Sequence, residues 1–471
     1  MPVVVKKKKV DVAQSNEEHQ PGTVITFPAA MANSAVELTE DAVAEAFAQI
    51  YGDELRFDHT QGKWFVWDGS RWMRNDTELA FDYARHLCRK YRKDQLRMGS
   101  RKAAEGVERM ARCDQRLAAT SKTWDRDPFL LGTPGGTVDL RTGMLKPAVK
   151  DDFITKLTSV TPAPNSECPL FRKFLAEATA GDVELQRFIQ QWAGYSLTGD
   201  TREQSLLFIY GPGGNGKGIL KNIFSEILGD YAETAAMDTF ASSKHHRHLT
   251  ELAMLDGARL VAVSETENGQ AWSEPRINQF TGGDAVTANF MRQDLYTYQP
   301  QLKLLVIGNH KPKLKTVNDA ARRRFLIAPF VHKPKQPDST LGDKLRVEYP
   351  GILRWMIEGC LDWQKNGLIR PEVIDKTTAD YFEEQDLFGR WIQEECVSGA
   401  GMKGVSSELY DSWRAFAIKN GEEPGSSTSF GPKLVERGYQ KKKSGNVYYL
   451  GIARKNFPGM YAQGGLGGFS G

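Results

Sequence analysis

No stretch of this 471-residue chain is apolar for long enough to cross a bilayer. The longest such runs, LLFIY (206–210) and LLVI (304–307), are the size of a strand. Cysteine is scarce. Cys88, Cys113, Cys168, Cys360 and Cys396 are odd in number, widely spaced and without a CxxC pair, which excludes a disulfide framework and argues against a structural zinc. They read as reduced thiols of an intracellular protein. The start, MPVVVKKKKV, has charges but no apolar run after them, so no secretory leader is expected. No fixed-period repeat is present, and 40% hydrophobic with 26% charged residues excludes wholesale disorder.

Net charge is also small, at +3, but it is unevenly spread. Residues 84–112 carry ten Lys/Arg against three acids, 310–335 eight against one, and 401–457 ten against five. Basic zones on an otherwise acidic chain fit a polyanionic partner.

The order of patterns suggests several domains. Residues 1–40 are a flexible basic and polar tail, with the run Lys6–Lys9. Residues 41–165 form a mainly helical domain with a small β-rich part. AVAEAFAQIYG reads as a helix ended by Gly52, KWFVWDGSRW as a hairpin around Asp68-Gly69, 77–122 as mostly helical, and 133–147 as short β-structure. A linker, TPAPNSECP, leads to helical residues 166–200. Within 201–335, SLLFIYG, RLVAVS and KLLVIGN are continuous apolar strands alternating with helical segments such as GILKNIFSEILG. That rhythm predicts an α/β layer with a parallel sheet. Helices return over 336–400. Residues 401–456 give two helices and then strands around Ser444-Gly445-Asn446, the layout of a winged-helix module, and 457–471 is a glycine-rich tail.

Chemistry concentrates in the middle. Gly211-Pro212-Gly213-Gly214-Asn215-Gly216-Lys217-Gly218 matches GxxxxGK, a frequent pattern in a chain with 44 glycines. Its setting between a buried strand and an amphipathic helix makes it specific, because backbone N–H groups and the helix dipole then face a polyphosphate. Lys217 would reach the β- and γ-phosphates of ATP. The position after the lysine, normally Ser or Thr for Mg²⁺, is Gly218, so water or a downstream carboxylate must serve there. Glu265, at the end of RLVAVSETE, is the candidate for holding Mg²⁺ and polarising the attacking water, with Glu267 in reserve. Asn309, at the end of KLLVIGN, suits orienting water or the γ-phosphate. Arg322, Arg323 and Arg324 precede an apolar strand. An arginine finger needs such an always-charged fork, and one chain would hardly bring it beside its own phosphate loop, so it is expected to act across a subunit interface. The histidine-rich 244–248 lacks a complete metal set and reads as a polar loop.

The order of phosphate loop, SETE, TGGD (281–284), GNHKP and RRRFLIAPF resembles superfamily 3 helicases, and within them the phage and plasmid primase-helicases akin to the poxvirus nucleoside triphosphatase. The resemblance covers roughly residues 45–455. It implies an AAA+ P-loop core with a helical N-terminal domain and a winged-helix end, forming a hexameric ring that moves along single-stranded DNA in phage or plasmid replication. Lys217 then matches the Walker A lysine, Glu265 the Walker B acid, Asn309 the sensor, and Arg323 or Arg324 the finger. The family's channel hairpin would fall on AVTANFMRQDLYTYQP, with Arg292, Tyr296 and Tyr298 as DNA contacts. The family often has basic residues where Asn278 and Asn289 stand, which shifts weight onto Arg276 and Arg292. Lys441, Lys442 and Lys443 would touch phosphates from the wing.

The expected activity is therefore ATP hydrolysis coupled to unwinding at a fork or origin. It would need Mg²⁺ and a homo-oligomer, with a separate primase or polymerase as a further partner, in the host cytoplasm and away from membranes. No primase active site is expected in this chain. An ATP-switched origin-binding initiator without processive unwinding is the alternative. A small-molecule kinase is disfavoured by the arginine triplet and the basic end.

Overall fold

The computed structural model describes residues 39–91, 96–241, 249–264, 271–289, 295–314, 319–334 and 336–455. They fall into two compact units, one of residues 39–67 and 73–122, the other of 68–72 and 123–455.

In the first unit, helices Glu40–Tyr51, Leu79–Tyr91 and Arg101–Ala111 accompany a four-stranded sheet ordered Trp72–Arg74, Lys63–Trp67, Leu55–Asp58, Ala118–Ala119. Thr39 caps the first helix, its Oγ1 accepting from the Ala42 amide at 3.2 Å. Phe47, Leu55, Phe57, Trp64, Leu87 and Val107 form the core. The buried Glu108 carboxylate is satisfied inside it, accepting from Trp64 Nε1 (2.5 Å) and from Arg112 Nε and Nη2 (2.8 and 2.7 Å).

The second unit is built on five parallel strands: β1 (Leu206–Tyr210), β2 (Ala232–Ala236), β3 (Leu260–Ser264), β4 (Lys303–Gly308) and β5 (Phe325–Pro329). Their spatial order is β5-β1-β4-β3-β2. Alternate residues serve two different cores. Leu207, Ile209, Leu305, Leu326 and Ala328 pack on one side, and Leu206, Phe208, Leu304, Val306 and Ile327 on the other. Burial on both faces explains why these strands carry no polar alternation.

The first of these cores reaches far beyond the sheet. It takes in helices Pro169–Ala178, Val183–Ser196, Lys217–Leu228 and Tyr349–Asn366, so the stretches 166–200, 201–335 and 336–400 share one interior. It also takes in Leu131, Val138 and Leu140 from the three-stranded sheet over 130–146. That β-rich piece was expected with the N-terminal domain; it groups with the second unit instead, because its apolar residues are buried in the same core as helices Val183–Ser196 and Tyr349–Asn366. Helices Val183–Ser196 and Tyr349–Asn366 touch backbone to backbone. A Cβ at Gly194 would collide with the Cys360 amide, and one at Gly359 with the Gln190 carbonyl. Arg187 clamps Asp362 through two nitrogens at 2.8 Å each.

At the C-terminal end, helices Leu387–Glu395, Ser406–Lys419 and Ser427–Glu436 enclose Phe388, Trp391, Trp413, Phe430 and Tyr449 with a three-stranded sheet, Cys396–Val405, Asn446–Arg454 and Gln440–Ser444. This core starts at Phe388, ahead of the boundary at 401 read from sequence. Strands turn at Gly445, φ +69°, as the Ser-Gly-Asn signal implied. Among the described residues no helix is long and apolar enough to cross a membrane, and none of the five cysteines is paired.

Candidate functional site

Where β1 ends at Tyr210, the chain enters the glycine loop and then helix Lys217–Leu228. Local stereochemistry explains two of the glycines. Gly216, at the helix N-cap, has φ +86°, which only glycine adopts without cost. Gly211 is pressed against the Phe330 carbonyl, with no room for a side chain. The helix ladder begins with the Leu220 amide on Gly216 O (3.0 Å). Its earlier N–H groups therefore face outward at the positive end of the dipole.

Lys217 is 6% exposed. Its Nζ donates to Gly211 O (2.6 Å), Pro212 O (3.3 Å), Asn215 Oδ1 (2.9 Å) and Asn309 Oδ1 (3.1 Å). Two residues named from sequence 92 positions apart thus meet. They do so because Tyr210 and Gly308 are paired at the ends of neighbouring strands β1 and β4. Asn215 is also buried, and its Nδ2 donates to the Phe330 carbonyl. Burial, and then the charge of Lys333, hold the Lys217 ammonium below the ordinary lysine value. Gly218 differs from its neighbours. It is exposed, and a Cβ there would have nothing within 4 Å. The missing hydroxyl is a chemical omission, not a steric requirement.

Strand β3 ends at Ser264, in register with Ile307 of β4. Glu265 and Glu267, which follow, lie outside the described residues, as do Arg292, Lys6–Lys9 and 244–248. Among the described residues no cluster of three or more His, Cys, Asp or Glu could hold a metal. Gly218 offers no side-chain oxygen, and the Mg²⁺ ligands expected from sequence are those two glutamates.

The arginines stand at the opposite end of the strands, where β5 begins. Helix Asp319–Arg324 runs directly into β5, where Phe325 is level with Leu206 and Pro329 with Tyr210. At about 3.3 Å per residue, Arg324 stands roughly 16 Å below the phosphate loop. Arg322 lies on the Phe382 ring at 5.2 Å. Arg323 is exposed, and the half-buried Arg324 donates to Ala320 O (3.1 Å). None of the three pairs with a carboxylate among the described residues.

Residues proposed for DNA separate into different environments. The pair Val286–Ala288 and Tyr296–Tyr298 is an antiparallel hairpin. Tyr298 is core, its hydroxyl donating to Leu252 O at 2.6 Å, so the expected surface contact is corrected to an interior one. Tyr296 is half-buried; burial and then the Asp256 carboxylate push its hydroxyl above the ordinary tyrosine value. Arg276, also half-buried, donates to Thr239 O (2.9 Å). Lys441, Lys442 and Lys443 are all exposed on the edge strand, but their register alternates. Lys441 opposes the buried Tyr449, whereas Lys442 opposes Tyr448, which Lys403 also covers at 3.8 Å.

Sequence reading missed two buried cations. Arg259 and Lys303, each 1% exposed, stand at the starts of adjacent strands. Arg259 donates to Leu197 O (2.6 Å) and Leu130 O (2.8 Å); Lys303 donates to Thr198 O, Gln301 O (2.9 Å) and Asp200 O (3.3 Å). Both thereby cap the carbonyl end of helix Val183–Ser196. Their only sequence signal was a basic residue just before each of two apolar strands.

A family described as D5 N terminal like matches residues 44–180, and a family of unknown function matches 209–324. A protein of Acanthamoeba polyphaga mimivirus, named as a helicase by inference, is 24% identical over 322 residues, 63% of this chain and 34% of its own. A Frog virus 3 protein named in the same way is 26% identical over 51% of this chain and 27% of its own. A protein of African swine fever virus named by inference as a primase is 22% identical over 69% and 36%. The chain thus spans about a third of the length of these relatives. In fold it is similar to the apo C-terminal region of NrS-1, with TM-score 0.51 at 11% identity, covering 88% of this chain and all of that one. Over these segments the chain is similar to viral proteins named by inference as helicases or primases, and in fold to the C-terminal region of NrS-1.

Proposed function

We propose that this chain is an ATP-driven DNA helicase, assembling as an AAA+ ring, hexameric by family resemblance, and moving along single-stranded DNA at a phage or plasmid replication fork or origin in the host cytoplasm. The observation that carries the reading is the meeting of Lys217 and Asn309 at the ends of β1 and β4, in a sheet ordered β5-β1-β4-β3-β2. In this reading phosphate oxygens take the place of the loop carbonyls around Lys217 Nζ, and the outward N–H groups of Gly213 to Gly218 cradle the chain of phosphates. The Asn309 amide, released from the lysine, orients water against the terminal phosphate. Mg²⁺ would neutralise charge on the phosphates, held by Glu265 with Glu267 near it. The exposed Arg323, or its neighbour Arg324, would complete the pocket of another copy. The segment 286–298, which contains Arg292 and Tyr296, together with Arg276, and the winged-helix end, with Lys441 to Lys443, would hold DNA by its phosphates.

ATP hydrolysis and strand displacement, with and without single-stranded DNA, test the reading. Lys217→Ala is expected to abolish both activities; undiminished unwinding by that variant would refute it. Gly218 favours a second reading, an origin-binding switch that uses ATP for assembly alone. Sequence-specific duplex binding without strand displacement would select it. A separate primase or polymerase would supply primer synthesis and extension.

A further inference from the structure

Beyond Lys217, a second cation lies within chain reach of the phosphate loop. Strand pairing continues one residue past β5, with the Phe330 amide donating to Tyr210 O at 2.7 Å. The Phe330 carbonyl then lies against Gly211 and accepts from Asn215 Nδ2. The chain therefore leaves the sheet pinned to the loop at both backbone groups of one residue. Lys333 follows three residues later, within about 10 Å of backbone reach. It is exposed and forms no ion pair among the described residues. Lys311, which sits over the Tyr210 ring, is committed to Glu384 at 3.0 Å.

Placing an unpaired ammonium beside a buried one is unfavourable in the absence of an anion between them. Burial, and after it the charge of Lys333, lower the hold of Lys217 on its proton. A polyphosphate lying along the loop removes that conflict. It also needs positive charge that Gly218 cannot help recruit through a metal-bound hydroxyl. Resting on the nucleotide reading above, we infer that Lys333 is a phosphate-contacting residue of the same subunit's pocket, sharing with Lys217 the charge of the bound nucleotide.

The test is equilibrium binding of fluorescent mant-ATP and mant-ADP to the full chain, in Mg²⁺ and in EDTA. Lys333→Ala is expected to weaken binding about tenfold, the worth of one charge-assisted hydrogen bond. The loss should be larger in EDTA, where no metal shares the charge. Lys333→Arg should stay within about twofold of the wild type, and both variants should melt with it, since the side chain is exposed. Wild-type affinity in Lys333→Ala, with binding lost in Lys217→Ala, would overturn the inference and leave the nucleotide reading intact. A wild-type chain that binds neither nucleotide would overturn both.

Discussion

Two glycines of the phosphate loop, two residues apart, should respond to substitution with opposite signs. Gly216 sits at φ +86°, and a Cβ there would lie 2.6 Å from Phe174 Cε2. The left-handed conformation costs a non-glycine residue about 1–2 kcal/mol. Phe174 is 7% exposed and packed beside Phe171, so its ring must be displaced within a filled core, which costs about 1–3 kcal/mol. Gly216→Ala should therefore lose about 3 kcal/mol. Gly218 has right-handed helical geometry and open space around its missing Cβ. Gly218→Ser should gain about 0.5 kcal/mol from helix propensity. At about 2 °C per kcal/mol for a large unit, calorimetry should show the second unit melting about 6 °C lower in the first variant and about 1 °C higher in the second. In nucleotide-binding titrations, Gly218→Ser should also lower the Mg²⁺ midpoint about tenfold, as one good added ligand contact would. A Gly216→Ala protein melting with the wild type, or a Gly218→Ser protein as damaged as Gly216→Ala, would refute the loop geometry.

Other perturbations probe the rest of the unit. Lys303→Met strands the carbonyls of Thr198, Asp200 and Gln301, and should lose about 2 kcal/mol in urea unfolding. Burial and the Arg259 charge push Lys303 well below the ordinary lysine value. The unfolded chain therefore holds that proton over a pH range where the folded chain has shed it. Wild-type stability should rise with pH toward about 10.4 in that window, and Lys303→Met should remove that part of the slope; identical slopes would refute the assignment. Tyr298→Phe should lose about 1 kcal/mol with the Leu252 hydrogen bond while leaving single-strand affinity unchanged by anisotropy, whereas Lys442→Glu should lower affinity. An Arg323→Ala chain mixed with a Lys217→Ala chain should recover part of the ATPase activity that each lacks alone; no recovery would count against a shared pocket.

What was legible in the sequence was local. The strand-loop-helix around Lys217 announced itself because a strand buried on both faces has no polar positions, and because the turn needs glycine at Gly216. The Ser-Gly-Asn and Asp-Gly turns were legible for the same stereochemical reason. What escaped depended on partners far away in the chain. Arg259 and Lys303 looked like ordinary polar residues at strand starts. They are buried only because the carbonyls of 197–200 come to meet them, over distances of 62 and 105 residues in sequence. Gly194 and Gly359 carry no signal of their own in two helical stretches, and their use, letting the helices touch, exists only once both are present. The lysine triplet 441–443 read as one patch, yet strand alternation sends its members to different faces.

Strand direction decides how a pocket could be completed. In a parallel sheet every strand presents the same end to the same side, so the Lys217 loop and Asn309 share the end where β1 and β4 finish. Arg323 and Arg324 precede β5 and belong by register to the end where strands begin. A rotamer change cannot span roughly 16 Å, and the pairing of Phe325 with Leu206 prevents β5 from sliding. If either arginine meets a phosphate held by this loop, the loop belongs to another copy. Such a contact joins one end of a protomer's strands to the opposite end in the next, a head-to-tail interface that must close into a ring or continue as a helical filament. On the proposed reading, the sheet register would make assembly a condition of the chemistry, with the arginine pair and the phosphate loop as two halves of one function at opposite ends of the strands in every copy.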